Sequence, residues 1–192
     1  KEFIYRNGRF CINIALVEKG KPIFGMINNV CDGEILWAFA SGEKGMVKKG
    51  KEEALSGIGG KQSKLRVAVS RFHVTEWELR YVDYLKSLGH EVELVPLGAS
   101  SKHCLLAKGE VDICPKFGKC SEWDVAAGQV LVEATGGYVV NAETGGEVRY
   151  NKENMISPPF VMFGKRVYDE IKEGNKTFLD FKAKSVVRND YL

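Results

Sequence analysis

Between Phe10 and Ala40 the apolar positions fall in short runs separated by turn residues, and this pattern predicts strands. Cys11 to Val17 stops at Glu18-Lys19-Gly20-Lys21, Pro22 to Asn28 stops at Asn29-Val30-Cys31-Asp32-Gly33, and Glu34 to Ala40 follows the Asp-Gly turn signal. The three runs read as an antiparallel meander with no helix of its own. A sheet left bare on one side exposes a large apolar patch, so something outside this chain is expected to cover it. Lys44, Lys48, Lys49 and Lys51, beside Gly45 and Gly50, read as a solvated loop.

After about residue 64 the pattern changes. Arg66 to Ser70 reads as a short apolar strand, and Thr75-Glu76-Trp77-Glu78 as a capping box that opens a helix. Trp77, Tyr81, Leu85 and Leu88 recur at helical spacing as a core-facing stripe, and Gly89 ends the helix. Glu91 to Leu97 follows as a strand, Ser101 to Lys108 as a short helix before Gly109, and Val111 to Cys114 as a third strand. Ser121 caps a helix running to about Thr135 and stopped by Gly136-Gly137, after which Tyr138 to Asn141 and Phe160 to Phe163 read as strands. Strands alternating with helices imply an open α/β sheet with helices on both faces. The expected organisation is a remnant of an antiparallel domain over 1–63, an α/β domain over 64–173, and a tail over 174–192 whose Phe178, Leu179 and Phe181 have two open readings, cover for the first sheet or self-association.

Composition narrows the function. The 192 residues are 44% hydrophobic and 28% charged, ordinary for a globular protein, and the formal charge of +3 is spread without a basic run. A small phosphate-bearing ligand fits this balance better than DNA or RNA. Five cysteines without Cys-x-x-Cys spacing argue against a disulfide framework or a zinc knuckle and make a reducing cytosol the simplest compartment. No run approaches the roughly 18 apolar residues of a membrane span. Lys1 in place of Met, followed at once by Phe3, Ile4 and Tyr5, suggests that the sequence starts inside a longer one.

In open α/β sheets ligands collect where strands end and helices begin, because free N–H groups point there. Three polar clusters occupy such positions: Ser70-Arg71-Phe72-His73, Gly98-Ala99-Ser100-Ser101-Lys102, and Lys116 to Asp124. Arg71, His73, Lys102 and Lys116 could surround an anion. Ser121-x-x-Asp124 has two readings, a helix-capping box or a metal-ligating carboxylate, and the local pattern alone favours the cap. His90 and His103 read as structural, and Cys104, Cys114 and Cys120 as small core or near-surface residues.

Glu122-Trp123-Asp124-Val125-Ala126-Ala127-Gly128, followed by Glu133-Ala134-Thr135-Gly136-Gly137, resembles the second signature of the inositol-monophosphatase-like, magnesium-dependent phosphatases. Lys1-Glu2-Phe3 and Arg6-Asn7-Gly8-Arg9-Phe10-Cys11-Ile12-Asn13-Ile14-Ala15-Leu16 resemble the 3′(2′),5′-bisphosphate nucleotidase branch. So do Val69-Ser70-Arg71-x-His73, Gly98-x-Ser100-x-Lys102-x-Cys104-Leu105 and Cys114-Pro115-Lys116-Phe117-Gly118, and the resemblance extends to about Lys165. It implies a layered α-β-α-β-α sandwich in the intact enzyme and Mg²⁺-assisted removal of the 3′-phosphate from adenosine 3′,5′-bisphosphate. Asp124 would be a metal ligand beside the leaving group, Lys102 and Lys116 would face the retained phosphate, and Ser70, Arg71 and His73 would border the nucleotide, with Gly98 and Ser100 completing the pocket. Lys116 stands where the family often has Arg, and Ala99 where some members have Ser. The family's first signature, with its aspartates and Thr, would lie before Lys1, so this polypeptide is expected to be inactive alone, its upstream half covering the first sheet. An inositol phosphate phosphatase and a non-catalytic domain that binds phosphorylated ligands or a partner protein are the alternatives.

Overall fold

The computed structural model describes residues 10–57 and 63–172. Residues 1–9, and with them Lys1-Glu2-Phe3, lie outside that range, as does the tail with Phe178, Leu179 and Phe181. The first unit is a five-stranded antiparallel sheet in simple meander order: β1 (Cys11–Glu18), β2 (Lys21–Asn29), β3 (Glu34–Phe39), β4 (Lys44–Lys48) and β5 (Lys51–Glu53). The Lys-rich stretch is therefore not a loop. Glu34 to Ala38 pair with Lys48 back to Lys44, and Trp37 lies over Gly45, where an added Cβ would sit 2.8 Å from the indole ring. Lys44 and Lys48 lie on β4 inside the sheet, Lys51 on the edge strand β5, and only Lys49, with Gly50, is in a turn, so the charge run disguises two strands as one loop.

The second unit is a mixed sheet in the order β10 (Tyr138–Asn141), β12 (Phe160–Phe163), β8 (Ile113–Lys116), β6 (Leu65–Ser70), β7 (Val92–Leu97). The pairing of β6 with β7 and β8 is parallel, and β12 runs antiparallel to both β8 and β10. β8 extends past the expected end at Cys114 and includes Pro115. Its pairing with β6 is confined to Val67 and Ile113, so that neighbour asks for no N–H at the proline. A two-stranded piece, β9 (Cys120–Ser121) with β11 (Ile156–Ser157), precedes the helix that follows β9.

Side chains alternate along these strands and set the layers. Val67, Val69, Ile113, Val161 and Phe163 pack on α1 (Glu76–Ser87) and α4 (Lys165–Lys172), while Ala68, Cys114, Val139, Phe160 and Met162 pack on α2 (Ser101–Lys108) and α3 (Glu122–Ala134). Of the α1 stripe, Tyr81 and Leu85 are buried, but Leu88 falls at the C-cap and is exposed. α3 is apolar nearly all round because it is buried on two sides. Val125, Ala126 and Val132 face the second sheet, whereas Ala127, Val130 and Leu131 meet Ile27, Leu36 and Ala38 of the first. The layers are thus sheet, helices, sheet, helices.

The contact of α3 with β2 is close enough to require glycine. A Cβ on Gly25 would lie 2.4 Å from the Ala127 carbonyl oxygen, and one on Gly128 would lie 2.2 Å from His103 Nδ1 on α2. The slim Ala126-Ala127-Gly128 turn therefore admits another backbone on one side and an imidazole on another. A polar network fixes α2 to the first sheet as well. Ser101 Oγ donates to Asn29 Oδ1 (2.8 Å), Asn29 Nδ2 to Glu34 Oε2 (3.2 Å), and Lys108 Nζ to Glu34 Oε1 (3.1 Å). With these partners the buried Glu34 carboxylate is satisfied.

Candidate active site

Three junctions of the second sheet open on one cavity of about 300 Å³. Ser70 ends β6, and its hydroxyl accepts the His73 amide (3.2 Å), which curls the chain so that both residues line the cavity. Arg71 lies between them but is exposed and does not line it. After β7, the buried Gly98 leads into Ala99, which holds a left-handed φ of 51°. Ala99, Ser100 and Lys102 line the cavity, whereas Gly98 does not. Lys116, Lys119, Cys120 and Asp124 complete the third side.

The two cations expected to meet an anion are held differently. Lys102 is 9% exposed and its Nζ donates to the Ala99 carbonyl (3.0 Å); among the described residues no carboxylate pairs with it. Lys116 lies 3.8 Å from Glu78 Oε1. A buried ammonium without a counter-charge is costly, so the Lys102 side of the cavity favours an anionic ligand.

Asp124 and Glu78 occupy the same position in their capping boxes, yet they are not equivalent. Glu78 is 1% exposed and accepts the Thr75 amide at 2.7 Å. Asp124 is exposed, and its Oδ2 accepts the Ser121 amide at 3.4 Å and the Cys120 thiol at 3.9 Å. Both Asp124 bonds are long and both fall on Oδ2; among the described residues Oδ1 has no such partner. Ser121-x-x-Asp124 is thus a cap in form but a loose one, with a hard oxygen available at the cavity edge. That suits one ligand position for Mg²⁺, which also needs further oxygens. Among the described residues no three His, Cys, Asp or Glu side chains converge to hold a metal.

Sequence reasoning missed a residue on the first sheet. Asn13 Nδ2 donates to Ser100 Oγ (2.7 Å) and more weakly to the Trp123 carbonyl (3.4 Å), and Ser100 Oγ donates to the Asp124 carbonyl (2.9 Å). β1 thereby ties the starts of α2 and α3 together. The signal was legible: in Cys11-Ile12-Asn13-Ile14-Ala15, alternation turns a polar Asn toward the packed face, where it needs a partner. Cys11, Cys114, His103 and Phe160 also line the cavity. Burial, then the positive Lys102, push the His103 imidazole down to about 3, so it is neutral; among the described residues its Nδ1 has no hydrogen-bond partner. Burial and the Asp124 charge push the Cys120 thiol up to about 11, which keeps it a proton donor rather than a nucleophile. A larger cavity of about 670 Å³ beyond Lys119 holds several charges that are already paired, Glu147 with Lys21 and Arg149, and Lys152 with Glu122.

The chain is 38% identical over 167 residues to the 3′(2′),5′-bisphosphate nucleotidase CysQ of Salmonella typhimurium and 36% identical to that of Escherichia coli K12, in each case over 83% of this chain and 62% of the relative. It spans less than two thirds of the length of these curated relatives. Its fold is similar to the crystal structure of CysQ from Bacteroides thetaiotaomicron, with a TM-score of 0.79 and 33% identity over 86% of this chain and 66% of that one. Mycobacterium tuberculosis SuhB shares the fold at a TM-score of 0.70 and 16% identity, over 96% of this chain and 69% of that one. The family model of the inositol monophosphatase family matches residues 1–173, and the chain belongs to that family.

Proposed function

We propose that this chain is the substrate-holding part of a Mg²⁺-dependent phosphatase that removes the 3′-phosphate from adenosine 3′,5′-bisphosphate. The observation that carries the reading is the convergence of Ser70, His73, Ser100, Lys102, Lys116 and Asp124 on one cavity, which brings two lysines and a loosely held carboxylate together. Likeness to the CysQ nucleotidases supports the choice of substrate.

Lys102 and Lys116 bind the phosphate that is retained, and Ser70 and His73 border the nucleoside. Anchoring that non-reacting end places the 3′-phosphate near Asp124 and supplies orientation. Hydrolysis forms a bond from water oxygen to phosphorus and breaks the bond to the 3′-oxygen, which ends as a hydroxyl. Asp124, together with carboxylates supplied from elsewhere, would hold Mg²⁺, which when bound would make the attacking water more acidic and offset the developing charge. Both hydrogen bonds to the Asp124 carboxylate fall on Oδ2, which leaves Oδ1 for that task. No thiol takes part, in keeping with the raised Cys120.

The open face of the first sheet supports the companion expectation that an upstream segment covers it. Ile12, Ile14 and Leu16 are about half exposed, and Met26, Phe24 and Trp37 continue the same face through the strand register. The chain alone is expected to be inactive, since Asp124 by itself binds Mg²⁺ poorly.

Joined to an upstream segment carrying the first signature, the chain is expected to release phosphate from adenosine 3′,5′-bisphosphate only with Mg²⁺. Asp124→Asn should abolish that release, and full activity in the variant would sink the assignment. Lys102→Ala should mainly raise KM, because it removes binding to a group that does not react.

A further inference from the structure

We propose that Glu78, which does not line the cavity, is a positioning residue that fixes the Lys116 ammonium in the anion pocket through a slot completed by Gly118. The inference rests on the reading of that cavity as a nucleotide-phosphate pocket.

Glu78 does more than a helix cap requires. A capping glutamate needs one oxygen, and Oε2 fills that role toward the Thr75 amide at 2.7 Å and the Thr75 hydroxyl. Oε1 turns away from its own helix. It accepts the backbone amides of Phe117 (3.0 Å) and Gly118 (3.4 Å), forty residues along the chain, and faces Lys116 Nζ at 3.8 Å. Most capping carboxylates sit in water, but this one is 1% exposed. Its burial is tolerable because both oxygens are saturated by donors, and half of those donors belong to the segment that carries Lys116.

Gly118 supplies the second, independent observation. A Cβ there would lie 3.0 Å from Lys116 Nζ and 2.9 Å from Thr75 Cγ2. The ammonium therefore occupies a narrow space between the Gly118 backbone and the Glu78 oxygen, with only 14% of the Lys116 side chain exposed. At 3.8 Å the ion pair holds the cation without using its donors, and no hydrogen bond among the described residues engages them. Lysine is a flexible point charge with no fork to orient it, so its surroundings must do so. Glu78 and Gly118 give a lysine the fixed placement that a planar guanidinium would supply by shape.

Two effects of Glu78 oppose each other, and this makes the idea testable. As a bare negative charge near the pocket it weakens anion binding; as a positioning group it strengthens it. The measurement is calorimetric affinity of the 192-residue chain for adenosine 5′-monophosphate in a double-mutant cycle of Glu78→Gln and Lys116→Met, with thermal unfolding as a check on folding. Positioning predicts that E78Q weakens binding by about tenfold. It also predicts that E78Q adds nothing once Lys116 is Met. Tighter binding by E78Q, unchanged binding, or losses that multiply across the two sites would each overturn the inference. Should E78Q fail to fold, Gly118→Ala in a Thr75→Ser background decides the matter: the serine keeps the hydroxyl that donates to Glu78 and removes the Thr75 methyl that the new Cβ would meet at 2.9 Å, so the added methyl meets the mobile end of Lys116. It should weaken binding when Lys116 is present and have no effect in K116M, and any other pattern counts against the slot. If the unaltered chain binds no adenosine 5′-monophosphate, or Lys102→Ala leaves its affinity unchanged, the reading of the pocket falls and the inference falls with it.

Discussion

The two sheets of this chain are built from similar apolar strands but finished differently. The second is covered on both faces, by α1 and α4 on one side and by α2 and α3 on the other. The first buries Ile27, Leu36 and Ala38 against α2 and α3 and leaves Ile12, Ile14 and Leu16 facing away from any described element. A sheet can thus be locally regular, with continuous strand register, and still depend on something else for half of its burial. The two faces of the first sheet should respond differently to the same kind of change.

Leu36→Ala should cost about 2–5 kcal/mol in chemical denaturation, as expected for a fully buried leucine. Leu16→Ala should change stability by less than about 0.5 kcal/mol in this chain. Equal losses would show that the outer face is covered after all. Gly25→Ala tests the seam between sheet and helix. Its methyl would meet the Ala127 carbonyl, and an overpacking cost of about 1–3 kcal/mol is expected. Hydrogen exchange should show the first sheet loosening while β6 and β8 stay protected; uniform loosening would mean that the two sheets unfold as one.

The His103 imidazole offers a smaller, pH-controlled version of the same test. Its folded pKa is lowered to about 3 from an ordinary 6.5, so its contribution is fully present above pH 6.5 and declines as pH falls toward 3. Between pH 6.5 and 5 the loss should reach about 2 kcal/mol. His103→Phe should flatten that part of the stability profile, and an unchanged slope would remove His103 as its cause.

Much of this architecture was legible in the sequence. Alternation located β1 to β3, and the Thr75 and Ser121 capping boxes located the starts of α1 and α3. The strands β4 and β5 were hidden because pairing with β3 and the Trp37–Gly45 contact, not local composition, decide them. Of the residues singled out, Ser70, His73, Ser100, Lys102, Lys116 and Asp124 meet in one cavity, while Arg71 and Gly98 stand outside it. Alternation marks Asn13 as a polar residue on the packed face and the capping box marks Glu78, but the partners that give each its second task lie far along the chain, Ser100 for one and Phe117 for the other, and no local pattern names them.

The close meeting of Gly25 with Ala127 also bears on the order in which the chain is made. All five strands of the meander have been synthesised by Glu53, but α3, which with α2 covers their inner face, begins only at Glu122. Until then Ile27, Leu36 and Ala38 on that face lack their α3 cover and are available to wrong partners. Chaperone demand during synthesis should therefore peak before α3 emerges and fall once the Ala126-Ala127-Gly128 turn can dock.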